Sequence, residues 1–96
     1  MTTLETLKQN RQRILEIAQQ YGARNVRIFG SIARGDAGPQ SDVDFLISLE
    51  PGRSALDLGG LLMDLQDLLG CKVDIVTERG LNKHLKDQVL KEAVNL

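Results

Sequence analysis

Three aspartates carry the clearest chemical signal in this sequence. Asp42 and Asp44 open the apolar run of residues 43–49 in an Asp-x-Asp pattern, and Asp74 lies inside a second apolar run, residues 73–76. Residues i and i+2 of a strand point to the same face, so Asp42 and Asp44 are expected to lie close together and to repel each other. A cation between the carboxylates would remove that repulsion.

A divalent metal site is the chemistry that this pattern favours. If the strands that carry them are neighbours, Asp42, Asp44 and Asp74 can converge on one face of a sheet. Three converging carboxylates form a hard, oxygen-rich site that suits Mg²⁺ or Mn²⁺ rather than Zn²⁺. Because Mg²⁺ usually combines a few carboxylates with substrate phosphates, a nucleoside triphosphate is the expected second component.

The pair Gly30-Ser31, which ends the preceding apolar run, is a candidate phosphate cradle. A glycine at a strand end lets the backbone approach a phosphate, and a following turn presents free N–H groups. The Ser31 hydroxyl would add one donor, and Arg34, one turn later, a charge-assisted contact. Ser41 either bonds its own loop backbone or helps to hold Asp42 in place.

Each of these features has a structural alternative. Gly-Ser after a strand is commonly a turn and a cap, and Asp-x-Asp can be a solvated strand end. An acidic residue within an apolar strand is costly to bury unless it is paired, hydrogen-bonded or metal-bound. Asp74 could therefore form a structural ion pair with one of three basic residues, Lys72, Arg27 or Arg79. The combination of features favours the functional interpretation.

The elements that must position these residues follow from apolar periodicity and capping signals. Thr2 with Glu5 is a capping box that starts a helix ending at Gly22. Strands are predicted at 26–29, 42–49 and 72–77, with a helical turn at 31–34 and a loop at 35–40. One further helix is predicted to begin after the cap Ser54 and to end near Gly70. Another begins after the cap Asn82 and runs to near the C-terminus, so that it includes Val94.

This order predicts an α/β (α+β) fold in which a small mixed sheet of three to four strands packs with about four helices. A length of 96 residues predicts a single domain over residues 1–96. Twelve basic against thirteen acidic residues, without a basic run, argue against direct nucleic-acid binding.

Cysteine usage and hydropathy bear on the compartment. Cys71 is the single cysteine, which fits a reducing cytoplasm. No apolar run approaches the roughly 20 residues of a membrane span, and the first residues lack a signal-peptide pattern. A cytoplasmic protein without a membrane part is expected.

Taken together, Gly30-Ser31, Ala33-Arg34-Gly35, Ser41-Asp42-x-Asp44 and Val73-Asp74 resemble the signature of the minimal nucleotidyltransferases. These belong to the DNA polymerase β-like nucleotidyltransferase superfamily and include the MNT antitoxins that are paired with HEPN ribonuclease toxins. The likeness covers about residues 26–96, including the closing segment LKDQVLKEAVNL. An appended substrate-binding domain is absent from the sequence, as it is from other minimal members.

The resemblance implies a role for each signature position. The catalytic, metal-binding residues would be Asp42, Asp44 and Asp74. The nucleotide-binding residues would be Gly30, Ser31, Arg34 and Ser41. Two Mg²⁺ ions are implied, with Mn²⁺ as a substitute, and ATP would be the donor. The implied acceptor is a tyrosine hydroxyl of an all-helical HEPN toxin, and a hetero-oligomer with that toxin is expected.

Two other functions are weighed against this one. A non-catalytic binding module would neutralise or assist a partner by surface contact alone, but it has no reason to keep three repelling acids together. A transferase acting on a small molecule or an RNA end is disfavoured because the sequence shows neither a second domain nor a basic groove. The leucine-rich helix that begins at Ser54 and the final helix offer apolar surface that a partner could cover.

Overall fold

The sheet is the framework that holds the candidate residues. The structure is a computed structural model that describes residues 2–38 and 41–96. Its strands are β1 (Ala23–Phe29), β2 (Val43–Leu49), β3 (Val73–Thr77) and β4 (Val94–Asn95). They form one four-stranded sheet in the order β3-β2-β1-β4. Because β1 is antiparallel to β2 and β4 while β2 is parallel to β3, the predicted mixed sheet is confirmed.

Five helices accompany the sheet in the described part of the chain, one more than the predicted number of about four. They are α1 (Leu4–Gln9), α2 (Arg11–Gln20), α3 (Ser31–Arg34), α4 (Ala55–Leu69) and α5 (Lys83–Glu92). Within residues 2–38 and 41–96, no helix combines the length and the apolar character that crossing a membrane requires.

The extra helix arises because the predicted first helix is interrupted at Asn10. The Asn10 side chain donates to the Thr6 carbonyl at 2.9 Å, a local bond that competes with the regular helix ladder. The predicted capping box was also wrong. Thr3, and not Thr2, caps α1, and its hydroxyl accepts from the Thr6 N–H at 3.2 Å.

The last helix ends earlier than predicted. It stops at Glu92, and Val94, which was assigned to the helix, pairs with Ile28 of β1. Val has two heavy atoms on Cβ and suits a strand, and β1 has a free edge with unpaired backbone groups. Pairing there satisfies backbone groups of β1 that would otherwise lack a partner.

Helix α4 makes the parallel pairing of β2 and β3 possible. Ser54 caps it in a complete capping box with Asp57, as predicted, and Gly70 ends it with a left-handed conformation (φ 66°). A parallel pair requires such a crossover, because the chain must return to the end of the sheet at which the first strand began. The crossover thereby brings the start of β3 beside the start of β2.

The core lies between one face of the sheet and helices α1, α2 and α4. Its side chains include Phe45 and Ile47 of β2, which are at most 1% exposed. Other core members are Leu7, Ile14, Ile17, Val26, Ile28, Ile32, Val43, Leu61, Leu65 and Val73. Because these residues occupy one face of β2, its other face is left to Asp44, Leu46 and Ser48.

Candidate functional site

Asp44 and Asp74 meet on neighbouring strands. The parallel ladder places Asp44 opposite Asp74, one residue after the pair Val43–Val73. Residues in register on adjacent strands point to the same face, so the expected adjacency of the two strands is confirmed and both side chains lie on one face of the sheet. On the other side of β2, Phe29 at the end of β1 pairs with Asp44. The site therefore lies where β1 ends and where β2 and β3 begin, and we call this the acidic edge.

Gly30 fits against the Asp44 carboxylate. Its backbone has φ 78° and ψ −156°, a region that is essentially restricted to glycine. A Cβ at Gly30 would lie 2.2 Å from Asp44 Oδ2, which is too close for any side chain. Gly30 is thus required both for its backbone angles and for the space that Asp44 occupies. It also precedes α3, whose N-terminus has no side-chain cap and which begins at Ser31 as predicted.

The carboxylates influence one another electrostatically. The pKa of Asp44 is raised above its ordinary value, first by burial and then by the negative charges of Asp74 and Asp42. Arg34 opposes the rise, whereas Glu92 adds to it. Asp42, Asp74, Arg34 and Glu92 therefore all act on the charge of Asp44, and with it form one electrostatic cluster.

Asp42 lies at the side of this cluster. It precedes β2 by one residue, and its carboxylate is 3.6 Å from the exposed Lys72 Nζ. Two of the three predicted ion-pair partners of Asp74 lie beside other acids. Lys72 lies near Asp42, and Arg27 binds Glu78 at 3.0 Å. In the described ranges, Asp74 has no ion pair and is exposed, so it does not incur the burial cost that its apolar surroundings suggested.

The donor set fits a hard divalent cation in its chemistry. Within residues 2–38 and 41–96, no three acidic, histidine or cysteine side chains lie close enough in their present positions to hold a metal ion. The predicted convergence of all three carboxylates is therefore wrong for the side-chain positions in this structure: Asp44 and Asp74 lie in register on neighbouring strands, whereas the Asp42 carboxylate lies toward Lys72. Carboxylate oxygens with a net negative charge are the ligands that Mg²⁺ and Mn²⁺ prefer.

Arg34 lies beside the acidic edge between two carboxylates. Its Nε donates to Asp36 Oδ2 at 3.1 Å, and its Nη1 donates to Glu92 Oε1. These hydrogen bonds raise the pKa of Arg34 further above its ordinary value. Glu92 was not among the predicted site residues. An acidic residue in the last turn of a helix, where the dipole disfavours it, was the signal that could have identified it.

Ser41 has the loop role that was its simpler interpretation. Its hydroxyl accepts from the Gly38 N–H at 2.7 Å, and its own N–H donates to the Gly38 carbonyl at 3.1 Å. These bonds hold Gly38 and Ser41 together just before β2 and so help to position Asp42. Pro39 and Gln40 of the predicted loop lie outside the described residues.

Exposure differs among the acids of the acidic edge, because Asp74 is exposed whereas Asp42 and Asp44 are partly buried. A cleft of about 610 Å³ lies where β2 and β3 end and is lined by residues such as Ser48, Thr77, Glu78 and Lys86. In parallel strands that end is opposite to the start, so the cleft is separate from the carboxylates. A large acceptor can reach the exposed Asp74 side chain from solvent.

Comparison with known proteins agrees with this geometry. The profile of the nucleotidyltransferase domain family matches residues 11–96. The protein adenylyltransferase MntA of Thermococcus cleftensis is 38% identical over 79 residues, which cover 82% of this chain and 80% of that protein. A Methanocaldococcus jannaschii protein, provisionally named a protein adenylyltransferase, is 37% identical over 86 residues, covering 90% of this chain and 92% of that protein.

Solved structures give the same result for the fold. One provisionally named a minimal nucleotidyltransferase superposes with a TM-score of 0.89 at 48% identity, covering 99% of this chain and 97% of that one. A toxin–antitoxin structure with AMP-PNP gives a TM-score of 0.77 at 22% identity, covering 90% of this chain and 71% of that one. An MNT antitoxin bound to a tri-AMPylated Shewanella oneidensis HEPN toxin gives 0.69 at 19% identity, with coverages of 92% and 69%.

Proposed function

Because the chain belongs to the nucleotidyltransferase domain family, we propose that it is a metal-dependent protein adenylyltransferase that modifies a tyrosine of a partner HEPN toxin and acts as its antitoxin. The relatives at 37–38% identity are named protein adenylyltransferases, which supports AMP as the group transferred to a protein. The neighbouring toxin–antitoxin structures support a toxin as the partner.

The observation that carries the proposal is the pairing of Asp44 with Asp74 beside Gly30. Only glycine fits at position 30, because a Cβ there would overlap the Asp44 carboxylate. Two desolvated or neighbouring carboxylates without cations between them are unfavourable for folding. An enzyme that must hold Mg²⁺ and a triphosphate gains from the same arrangement. The acids that would hold the metal are Asp42, Asp44 and Asp74, and bound Mg²⁺ would supply charge neutralisation for the phosphates.

The remaining chemistry is assigned to residues of this chain. The N–H groups after Gly30 and the Ser31 hydroxyl bind the β- and γ-phosphates of ATP, and Arg34 adds a charge-assisted contact. The acceptor hydroxyl oxygen forms a bond to the α-phosphorus while the bond to the bridging oxygen of the β-phosphate breaks. Pyrophosphate leaves, and Asp74 orients the hydroxyl and accepts its proton. Asp74 is suited to this role because it is exposed and free of an ion pair in the described ranges.

The acceptor is expected to be held by a protein surface. In-line transfer requires the hydroxyl to be positioned accurately, and such positioning can account for about 7–11 kcal/mol of a barrier. Asp74 is exposed, so a docked partner must provide the opposite wall. We propose a stable hetero-oligomer with an all-helical HEPN toxin, in which a toxin tyrosine reaches Asp74.

Co-expression of the chain with a HEPN toxin tests the proposal. The expected result is a shared peak in size-exclusion chromatography and, after incubation with ATP and Mg²⁺, a toxin mass that rises by about 329 Da per adenylyl group. A toxin with its acceptor Tyr→Phe should stay in the complex and gain no mass.

The Asp74→Asn chain is the matched control, because it keeps the size of the side chain and removes one charge. It should form the complex and transfer AMP at least about 100-fold more slowly. If the wild-type chain forms the complex but the toxin gains no mass, the proposed enzymatic activity is contradicted and a non-catalytic binding module is favoured. Wild-type rates in the Asp74→Asn chain would contradict the role given to Asp74.

A further inference from the structure

Glu92 is a carboxylate that the transfer reaction described above does not use. It is the last residue of α5, its side chain is 18% exposed, and it accepts a hydrogen bond from Arg34. An acidic residue at a helix C-terminus interacts unfavourably with the helix dipole. Its negative charge also acts on Asp44. Two local costs at one residue indicate that Glu92 serves something other than the helix.

The fold brings Glu92 to the acidic edge through β4. Asn95 pairs with Arg27 and Val94 pairs with Ile28, in antiparallel register. Glu92 ends α5 two residues before Val94, and Val94 pairs with Ile28, two residues before Gly30. The end of α5 is therefore tied to the end of β1, the strand that leads into the phosphate cradle.

Arg34 is held at two of its three nitrogens. Its Nε donates to Asp36, and its Nη1 donates to Glu92. Nη2 has no hydrogen bond to any other residue in the described part of the chain. The Asp36 side chain is 62% exposed and the Glu92 side chain 18%, so Glu92 is the firmer of the two anchors.

Resting on the proposed function, we propose that Glu92 is a positioning residue for the donor nucleotide. Its carboxylate holds the Arg34 guanidinium beside Gly30 and Asp44, so that Nη2 is directed to the triphosphate before ATP arrives. Arginine suits this task because its planar fork can serve two carboxylates and one phosphate at once.

Simple electrostatics predicts the opposite effect of removing Glu92. A triphosphate is strongly negative, so loss of one negative charge near it should strengthen binding. Positioning predicts weaker binding instead, because Arg34 must then be ordered at the moment when ATP binds. The sign of the change therefore separates the two effects.

Calorimetric titration with ATP in Mg²⁺ buffer tests the proposal, with AMP as the second ligand. Glu92→Gln should weaken ATP binding by about threefold to tenfold, because a neutral amide oxygen holds the Arg34 guanidinium less strongly than a carboxylate does, so more of the ordering cost falls on ATP binding. AMP binding should be unchanged, since AMP lacks the phosphates that Arg34 contacts. Arg34→Ala should weaken ATP binding about tenfold or more, and adding Glu92→Gln to it should have no further effect. Asp87→Asn, which removes an exposed carboxylate from the same helix α5, is the matched control and should change ATP binding by less than about twofold.

Three results would overturn the proposal: equal or tighter ATP binding by Glu92→Gln, an equal loss for AMP, or an equal loss in the Arg34→Ala background. If Glu92→Gln fails to fold, Arg34→Lys is measured instead, because the lysine ammonium lacks the planar fork that bonds two carboxylates and a phosphate in one fixed geometry. It should weaken ATP binding at least about threefold, and unchanged binding would overturn the proposal. ATP binding that behaves as expected without AMP transfer would contradict the proposed function and leave this inference standing.

Discussion

The ionised form of the Asp44 side chain is unfavourable in the folded protein, and neighbouring carboxylates make it more so. Its pKa is raised by burial, by Asp74 and by Asp42, so the folded protein without ligand holds its ionised form at a cost. A neutral side chain of the same size would relieve that cost. The same change would remove a ligand that a cation and a triphosphate require.

We therefore expect Asp44→Asn to be at least as stable as the wild type without ligand and to be inactive in AMP transfer. Thermal melting checks the first part, and intact mass of the toxin checks the second. Asp67→Asn, an exposed acid of α4, is the control and should leave transfer unchanged. A clear loss of stability in Asp44→Asn without ligand would contradict the repulsion described here.

Gly30 allows a second prediction, because its role is both conformational and steric. Gly30→Ala places a methyl group 2.2 Å from Asp44 Oδ2 at φ 78°. The backbone conformation alone should cost about 1–3 kcal/mol, and displacement of Asp44 adds to it. Gly52→Ala is the control, because Gly52 has φ 86° but nothing within 4 Å of its added Cβ.

Urea denaturation of both glycine variants measures the difference. Gly30→Ala should be less stable than Gly52→Ala and should also lose the stabilisation that ATP with Mg²⁺ gives. Equal stabilities would mean that Asp44 moves away from Gly30 without cost.

Three strands are linked across the sheet by one carboxylate. Glu78, which follows β3, accepts from Arg27 of β1 at 3.0 Å and from Ser48 of β2 at 3.2 Å. These bonds lower the pKa of Glu78 below its ordinary value, the Arg27 bond most. A group with a lowered pKa in the folded state stabilises the fold above its unfolded pKa, and the contribution is lost as the pH falls through the folded value.

Glu78→Gln should therefore lower the free energy of unfolding at pH 7, and its difference from the wild type should shrink below pH 4.5, the ordinary value. Urea denaturation at both pH values checks this. Glu16→Gln is the control, because its pair with Arg13 is more than half exposed on both sides and should contribute little. A constant difference from pH 7 to pH 3 would show that Glu78 acts by packing alone.

The molecule as a whole is thin, with extents of 36 × 31 × 19 Å, and Asp74 at its acidic edge is exposed. Ligands must therefore be bound mainly by charge and backbone donors rather than by enclosure. Any ligand that binds only the folded state raises its stability by mass action, by about 2.7 kcal/mol at 100 times Kd.

ATP with Mg²⁺ should accordingly raise the melting temperature, and ATP with EDTA should raise it much less, because the carboxylates then repel the phosphates. Differential scanning fluorimetry measures both shifts, with Mg²⁺ alone as a further control. Equal shifts with Mg²⁺ and with EDTA would contradict the metal site.

Local sequence signals were sufficient to predict most elements and the candidate residues. The Ser54 box, Gly70, the Asn82 cap and the short α3 turn follow from capping and glycine chemistry within a few residues. The strands were found from alternation, because one face of β2 must be apolar. The acids stood out because their charge conflicts with that apolar pattern.

Tertiary structure decided what depends on contacts between distant segments. The register that places Asp44 beside Asp74 requires the α4 crossover, and pairing at the open edge of β1 turns Val94 from helix to strand. That pairing also brings Glu92 to Arg34, 58 residues away. Periodicity indicates which face of an element is buried, but not which distant segment packs against it. Bringing distant segments together costs chain entropy, and only the contacts of the complete fold offset that cost.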